Sequence, residues 1–181
     1  MKLELKHLAP YLPYGLNVEH KQGKNKASID EVVRIEVQQA DSVVLSTITD
    51  KWSCYGAKYQ DIKPLLHPLS RLTEPTLEGS KVPLIELAKM AYPSLTGWNE
   101  AQTLRDYFTS RETTCSQGNK FSFSNGSFIK FSRKDSSKAF QIMTQVPNQL
   151  PLLQKLYEWH FDVDDLIGKG LAIAKPLNQT S

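Results

Sequence analysis

Imidazole and carboxylate groups crowd one short stretch of this chain, where His160, Asp162, Asp164 and Asp165 follow Tyr157 and Trp159. One ring nitrogen and several carboxylate oxygens are the donor set of a divalent-cation site, and through a bound ion, of a metal-dependent hydrolase. The spacing weakens that reading. A calcium loop needs a central Gly and a closing Glu, and a helix-borne site needs His-x-x-x-His or Glu-x-x-His; this stretch has neither. The same carboxylates have a structural use, because Asp162 or Asp164 ahead of residues 165–167 is placed to cap a short helix, whose first N–H groups and dipole attract negative charge. His160, Asp162 and Asp164 are therefore weak metal candidates, and neither a resident metal nor a cofactor is expected.

Other catalytic patterns fail on similar grounds. There is no Gly-x-Ser-x-Gly elbow to expose a serine nucleophile. Cys54 and Cys115 stand far apart, each without a second Cys beside it, so neither forms a redox pair or half of a zinc site; both are expected as free thiols. Gly168-Lys169-Gly170 has two of the glycines but not the sequence of a phosphate-binding loop, and suits a helix stop. His67 lies near two prolines with no partner nearby in sequence and reads as a packing residue. No catalytic residue is assigned, and the chain is expected not to be an enzyme.

The best surface by composition lies further back. Lys120, Lys130, Arg133, Lys134 and Lys138 interleave with Phe121, Phe123, Phe128 and Phe131. Exposed rings beside cations stack bases and neutralise phosphates, so these five basic residues are the candidate binding set for a nucleic acid. Against this, phenylalanines on a sheet usually face a core and edge lysines blunt aggregation. The net charge of +3, from 22 basic and 19 acidic side chains, gives little attraction for a polyanion. A protein partner is favoured over a nucleic acid.

These residues sit on elements with their own signals. Two prolines and a glycine across residues 8–16 predict an irregular strap pinned by Tyr11, Leu12 and Tyr14. A first strand is expected over 16–19 and a polar turn over 22–26. Alternation at Val33, Ile35 and Val37, then a β-branched run over 41–49, predicts an antiparallel pair joined at Gln39-Ala40. Residues 62–72 are apolar but carry Pro64 and Pro68, so they read as a packed connector and not as a regular helix or central strand. Pro83 opens a short helix that Pro93 ends, and a second begins near Asn99 and includes Leu104, Tyr107 and Phe108. Asn125-Gly126 marks a two-residue hairpin turn that pairs Phe123 with Phe128. Phe140, Ile142 and Thr144 add a third strand, completing a meander over 120–144. The last helix is expected over 148–160, with Leu152, Leu156 and a largely buried Trp159 on one stripe.

The 181 residues suit a single compact domain. Strands grouped with helices, without β-α-β alternation, give an α+β fold class with antiparallel sheets. No apolar run approaches the roughly 18 residues of a membrane span, and the first residues lack a secretory pattern, so the chain is expected to be cytoplasmic and to make no membrane contact.

Three strings resemble a known family: residues 8–16, residues 62–73, and residues 155–163 continuing to Leu171-Ala172-Ile173. The family is a group of small uncharacterised proteins of Bacteroidota phages and prophages. The resemblance leaves about 97–147 unmatched. This chain has His67 where relatives often carry Arg, and a more acidic Asp164-Asp165. What the resemblance implies is a setting, that of a phage-encoded accessory protein in a host cell, and no chemistry. The expected role is binding of a host or phage macromolecule.

Overall fold

The computed structural model describes residues 2–22, 26–39, 42–47, 55–77, 80–91, 93, 112–114, 119–124, 128–134, 141–145 and 149–176. Strands and helices are both present and the class is α+β. Two compact units are formed, the first by residues 1–68 with 156–181 and the second by residues 69–155. The helix predicted from Asn99, both cysteines, Phe140 and Lys138 lie outside the described residues.

In the first unit a short helix α1 (Leu5–Leu8) leads through a 3-10 turn at Leu12–Tyr14 into strand β1 (Leu16–Gln22). The predicted strap is thus partly helical. It ends on Gly15 at φ +72°, a conformation that suits glycine, and a Cβ there would lie 2.6 Å from a carboxylate oxygen of Glu31. Strands β2 (Lys26–Gln39) and β3 (Ser42–Thr47) form the predicted antiparallel pair, with Gln39 opposite Ser42. Strand β4 (Tyr55–Lys58) and, after a 3-10 turn at Tyr59–Asp61, strand β5 (Ile62–Leu66) follow. Strand β10 (Ile173–Ala174) closes a six-stranded sheet of order β10-β5-β1-β2-β3-β4.

Two expectations fail here. Residues 62–66 are a strand despite Pro64, and β10 runs parallel to β5, so the sheet is mixed and not purely antiparallel. The first has a local cause. Leu66 turns its carbonyl to the N–H of Lys175 at 2.8 Å, on the β10 side, whereas His67 donates its N–H to the His160 carbonyl at 2.7 Å. Main-chain groups alternate in direction along a strand, so position 64 faces as Leu66 does, away from β1. β10 reaches only Leu65 and Leu66, and the missing N–H of Pro64 leaves no ladder bond unmade.

Val18, Leu16, Val32, Leu45, Val43 and Ile62 line one side of this sheet and meet Leu3, Leu8, Tyr11, Leu166 and Ala172 in a continuous core. Burial of aliphatic side chains of this size contributes about 1.5–3 kcal/mol each. The opposite side of β2 carries Ile29 and Val33 exposed.

The second unit holds a 3-10 turn at Leu69–Thr73 beside helix α2 (Pro83–Ala91), which starts at the predicted proline and buries Leu84, Ile85, Leu87 and Ala88. It also holds a four-stranded antiparallel sheet of β6 (Glu112–Thr114), β7 (Asn119–Ser124), β8 (Phe128–Lys134) and β9 (Gln141–Gln145). β6 was not expected. Ser124 pairs with Phe128 and Phe123 with Ile129, so three residues connect the strands and Phe123 does not face Phe128. A one-residue change of register moves every partner to the other face.

The last helix, α3 (Gln149–Glu158), is shorter than expected. Leu152 and Leu156 are buried, but Trp159 lies beyond the helix end and is only partly buried. The helix stops because His160 takes φ +55°, a conformation that no α-helix continues through.

Candidate functional site

The acidic turn holds the metal candidates His160, Asp162 and Asp164. The carboxylate of Asp162 is 4 % exposed and both of its oxygens are taken: Leu166 donates its N–H to Oδ1 at 2.7 Å and Ile167 donates to Oδ2 at 2.8 Å. Burial raises its pKa while those two donors lower it. Residues 163–164 and 166–170 form turns and the predicted helix over 165–167 is not formed, so Asp162 anchors a loop instead of capping a helix. Asp164 contributes its main-chain carbonyl to Lys169 Nζ. Gly168 sits so close to Asp165 that a Cβ would collide with its carboxylate, and Gly170, at φ +71°, serves a succession of turns and not a helix stop. Among the described residues no group of three His, Cys, Asp or Glu side chains is placed to hold a metal ion.

His160 points elsewhere. Its ring stacks at 6.4 Å from Tyr11, donates to the Tyr14 carbonyl, and leaves Nε2 without a hydrogen-bond partner. Burial, then the charge of Lys175, lowers its pKa to about 4. Tyr11 is fully buried, donates its hydroxyl to the Phe161 carbonyl at 2.8 Å, and meets Tyr157 edge-on at 4.9 Å. Burial lifts the Tyr11 phenol well above the usual tyrosine range. His67 packs on Phe161 with ring centres 5.6 Å apart. The densest cluster in the sequence is therefore a junction where the N-terminal strap, the end of β5 and the segment after α3 are tied together.

A histidine, a carboxylate and a hydroxyl do converge at another place that the sequence reading missed. His20 Nε2 lies 2.9 Å from Asp30 Oδ2 and 3.1 Å from Ser28 Oγ, with His20 2 % exposed. In a hydrolytic relay the carboxylate and the nucleophile bind opposite nitrogens of the ring. Here both contact one nitrogen, so the trio ties β1 to β2. The signal for it was the cross-strand register around residues 22–26, which places His20 opposite Ser28 and Val18 opposite Asp30.

The basic residues of the second unit are separated by the observed register. Lys120, Lys130 and Lys134 share one face of the pleat with Phe128, while Arg133 falls on the other with Phe121, Phe123 and Phe131. Cations and most of the phenylalanine positions thus do not interleave on one face as the sequence order suggested.

What the first unit does offer is a cleft of about 530 Å³, lined by Lys2, Leu3 and Glu4, by Lys58, Tyr59 and Gln60, by Ile62 and Lys63 at the start of β5, and by Gly170 and Leu171. Leu3, Tyr59 and Ile62 are buried and give it an apolar wall; the three lysines and Gln60 are exposed. The wall is held in place locally. Tyr59 accepts the N–H of Leu5, and Glu4 donates its own N–H to His7 Nδ1 at 3.0 Å, fixing the start of α1. Glu4 is the single carboxylate among the lining residues, and Lys6 lies 2.8 Å from it. The electrostatic balance of the cleft is therefore positive. No sequence pattern announced it, because its residues come from three separate segments. No family model, no curated protein and no solved structure matches this chain.

Proposed function

We propose that this chain is a phage- or prophage-encoded accessory protein that acts by binding a macromolecular partner, a protein in preference to a nucleic acid, and not by catalysis. The observation that carries the reading is the cleft: an apolar wall beneath an excess of lysine amines suits recognition, and nothing in its lining pairs a nucleophile with a base. The acidic turn supports the same view, since Asp162 spends both oxygens on main-chain amides. The phage setting rests on the resemblance of the three strings. In this reading both units belong to one α+β domain working in the cytoplasm of the host, and they act without a cofactor. Among the described residues no helix is long and apolar enough to cross a membrane.

The test is retention of a partner by the immobilised intact chain from host lysate, before and after nuclease treatment. A stoichiometric protein that survives nuclease is expected. Retention of nothing would remove the reading, and retention abolished by nuclease would replace it with nucleic-acid binding.

A further inference from the structure

We infer that the cleft takes an acidic peptide segment carrying a large apolar side chain. This rests on the binding reading above and assigns its ligand class. Three lysines line the cleft against Glu4, whose own charge is offset by Lys6 at 2.8 Å. With Glu4 offset, Lys58 and Lys63 leave a net attraction for an anionic ligand, and a cationic one is disfavoured.

Shape then narrows the class. A volume of about 530 Å³ holds a few residues of extended chain and not the face of a folded domain. Leu171, half-buried, with the narrow exposed edges of Leu3, Tyr59 and Ile62, offers a lining for one apolar side chain. Nucleic acid fits less well. Tyr59 is 9 % exposed and its hydroxyl is engaged at Leu5, so no ring stands free to stack on a base. A peptide satisfies both halves of the site at once, carboxylates on the lysines and an aliphatic or aromatic side chain against the wall.

The chemistry also says what should not bind through the sheet edge. Position 64 faces away from β1 without an N–H, and Ile62 donates its N–H to the Tyr59 carbonyl, so this part of β5 has no free donor for an added strand. Recognition is by side chains, and charge order matters more than strand geometry.

The experiment follows the amide signals of the intact, isotope-labelled chain while a short blocked peptide of alternating glutamate and leucine is added to millimolar concentration. Parallel titrations use a lysine–leucine peptide, a glutamate–serine peptide and a short single-stranded DNA. Saturable shifts confined to residues 58–63, 170–171 and the N-terminal segment are expected with glutamate–leucine alone. Lys58→Glu with Lys63→Glu should weaken binding about tenfold at low salt and less at high salt. Gln60→Trp, an exposed position that fills the mouth, should abolish it. Both variants alter exposed side chains, and their amide spectra report directly whether they remain folded. Absence of saturable shifts overturns the inference; so do equal shifts with the lysine–leucine or glutamate–serine peptide, or stronger ones with DNA. If the intact chain and the Lys58→Glu/Lys63→Glu variant retain the same protein partner equally, the cleft assignment falls while the binding reading stands.

Discussion

Acid should destabilise this protein through His160 in a window set by its burial. Its ring titrates at about 6.5 in an unfolded chain and is held at about 4 in the fold, by desolvation first and by Lys175 second. Between those values the unfolded chain takes up a proton that the folded chain refuses, so the stabilisation is complete above pH 6.5 and drains away as the pH falls toward 4. The difference corresponds to about 3 kcal/mol, and to less once salt screens the Lys175 part. Asp162 works in the opposite sense: its folded pKa is raised by burial, so its ionisation costs stability and acid relieves that cost. The comparison must therefore isolate His160. Asn is the substitution to use, because it does not titrate and it tolerates the left-handed backbone that His160 adopts at φ +55°. Urea unfolding followed by tryptophan fluorescence, at steps from pH 7 to 4, gives the stability of each form. The native chain should lose about 2–3 kcal/mol more than His160→Asn across that range. Parallel pH profiles for the two would refute the argument and place the ring in water.

Other changes probe the same junction and the basic residues of the second unit. Asp162→Ala should cost about 2–4 kcal/mol in urea unfolding, because two main-chain donors lose their acceptor at a buried site, and the purified native chain should carry no stoichiometric divalent cation by elemental analysis. Tyr11→Phe should cost about 1 kcal/mol by the same measurement, losing the bond to the Phe161 carbonyl while keeping the packing against Tyr157. Alanine at Lys120, Lys130, Arg133, Lys134 and Lys138 together should leave DNA and RNA binding at low salt unchanged; a salt-dependent loss would restore the nucleic-acid reading.

Alternation and turn chemistry carried the antiparallel pair β2 and β3, the start of α2 at Pro83 and the existence of the hairpin, because each of these is set by neighbours in sequence. Hairpin register was less secure. Asn125-Gly126 fits a two-residue turn, but pairing of Ser124 with Phe128 leaves three residues between the strands, and that single position decides which side chains share a face. Trp159 looked like the third member of a helical stripe; the turn at His160 ends the helix before the period reaches it. The local pattern was right as far as Leu156, and the backbone then left it.

Pro64 shows where reading by residue type stops. That a proline is excluded from the middle of a sheet is sound, yet the rule concerns one missing donor on one side of a strand and not the strand as a whole. Whether position 64 faces β1 or the far side depends on which neighbour reaches it, and the strand on that side is supplied by Ile173 and Ala174 from the opposite end of the chain. β10 stops at Leu65 and Leu66, leaving the one position that cannot donate beyond its reach. The cleft has the same origin. Lys2, Lys58 and Lys63 mean little in their own segments, and become one electrostatic surface only where residues 2–4 line the same cleft as residues 58–63, with Gly170 and Leu171 completing the lining. The buried carboxylate of the cluster, Asp162, is committed to main-chain donors, whereas Lys2 and the Lys58 and Lys63 pair, far apart in sequence, converge on the cleft: local crowding reports on turns, and a surface for recognition is made by long-range pairing.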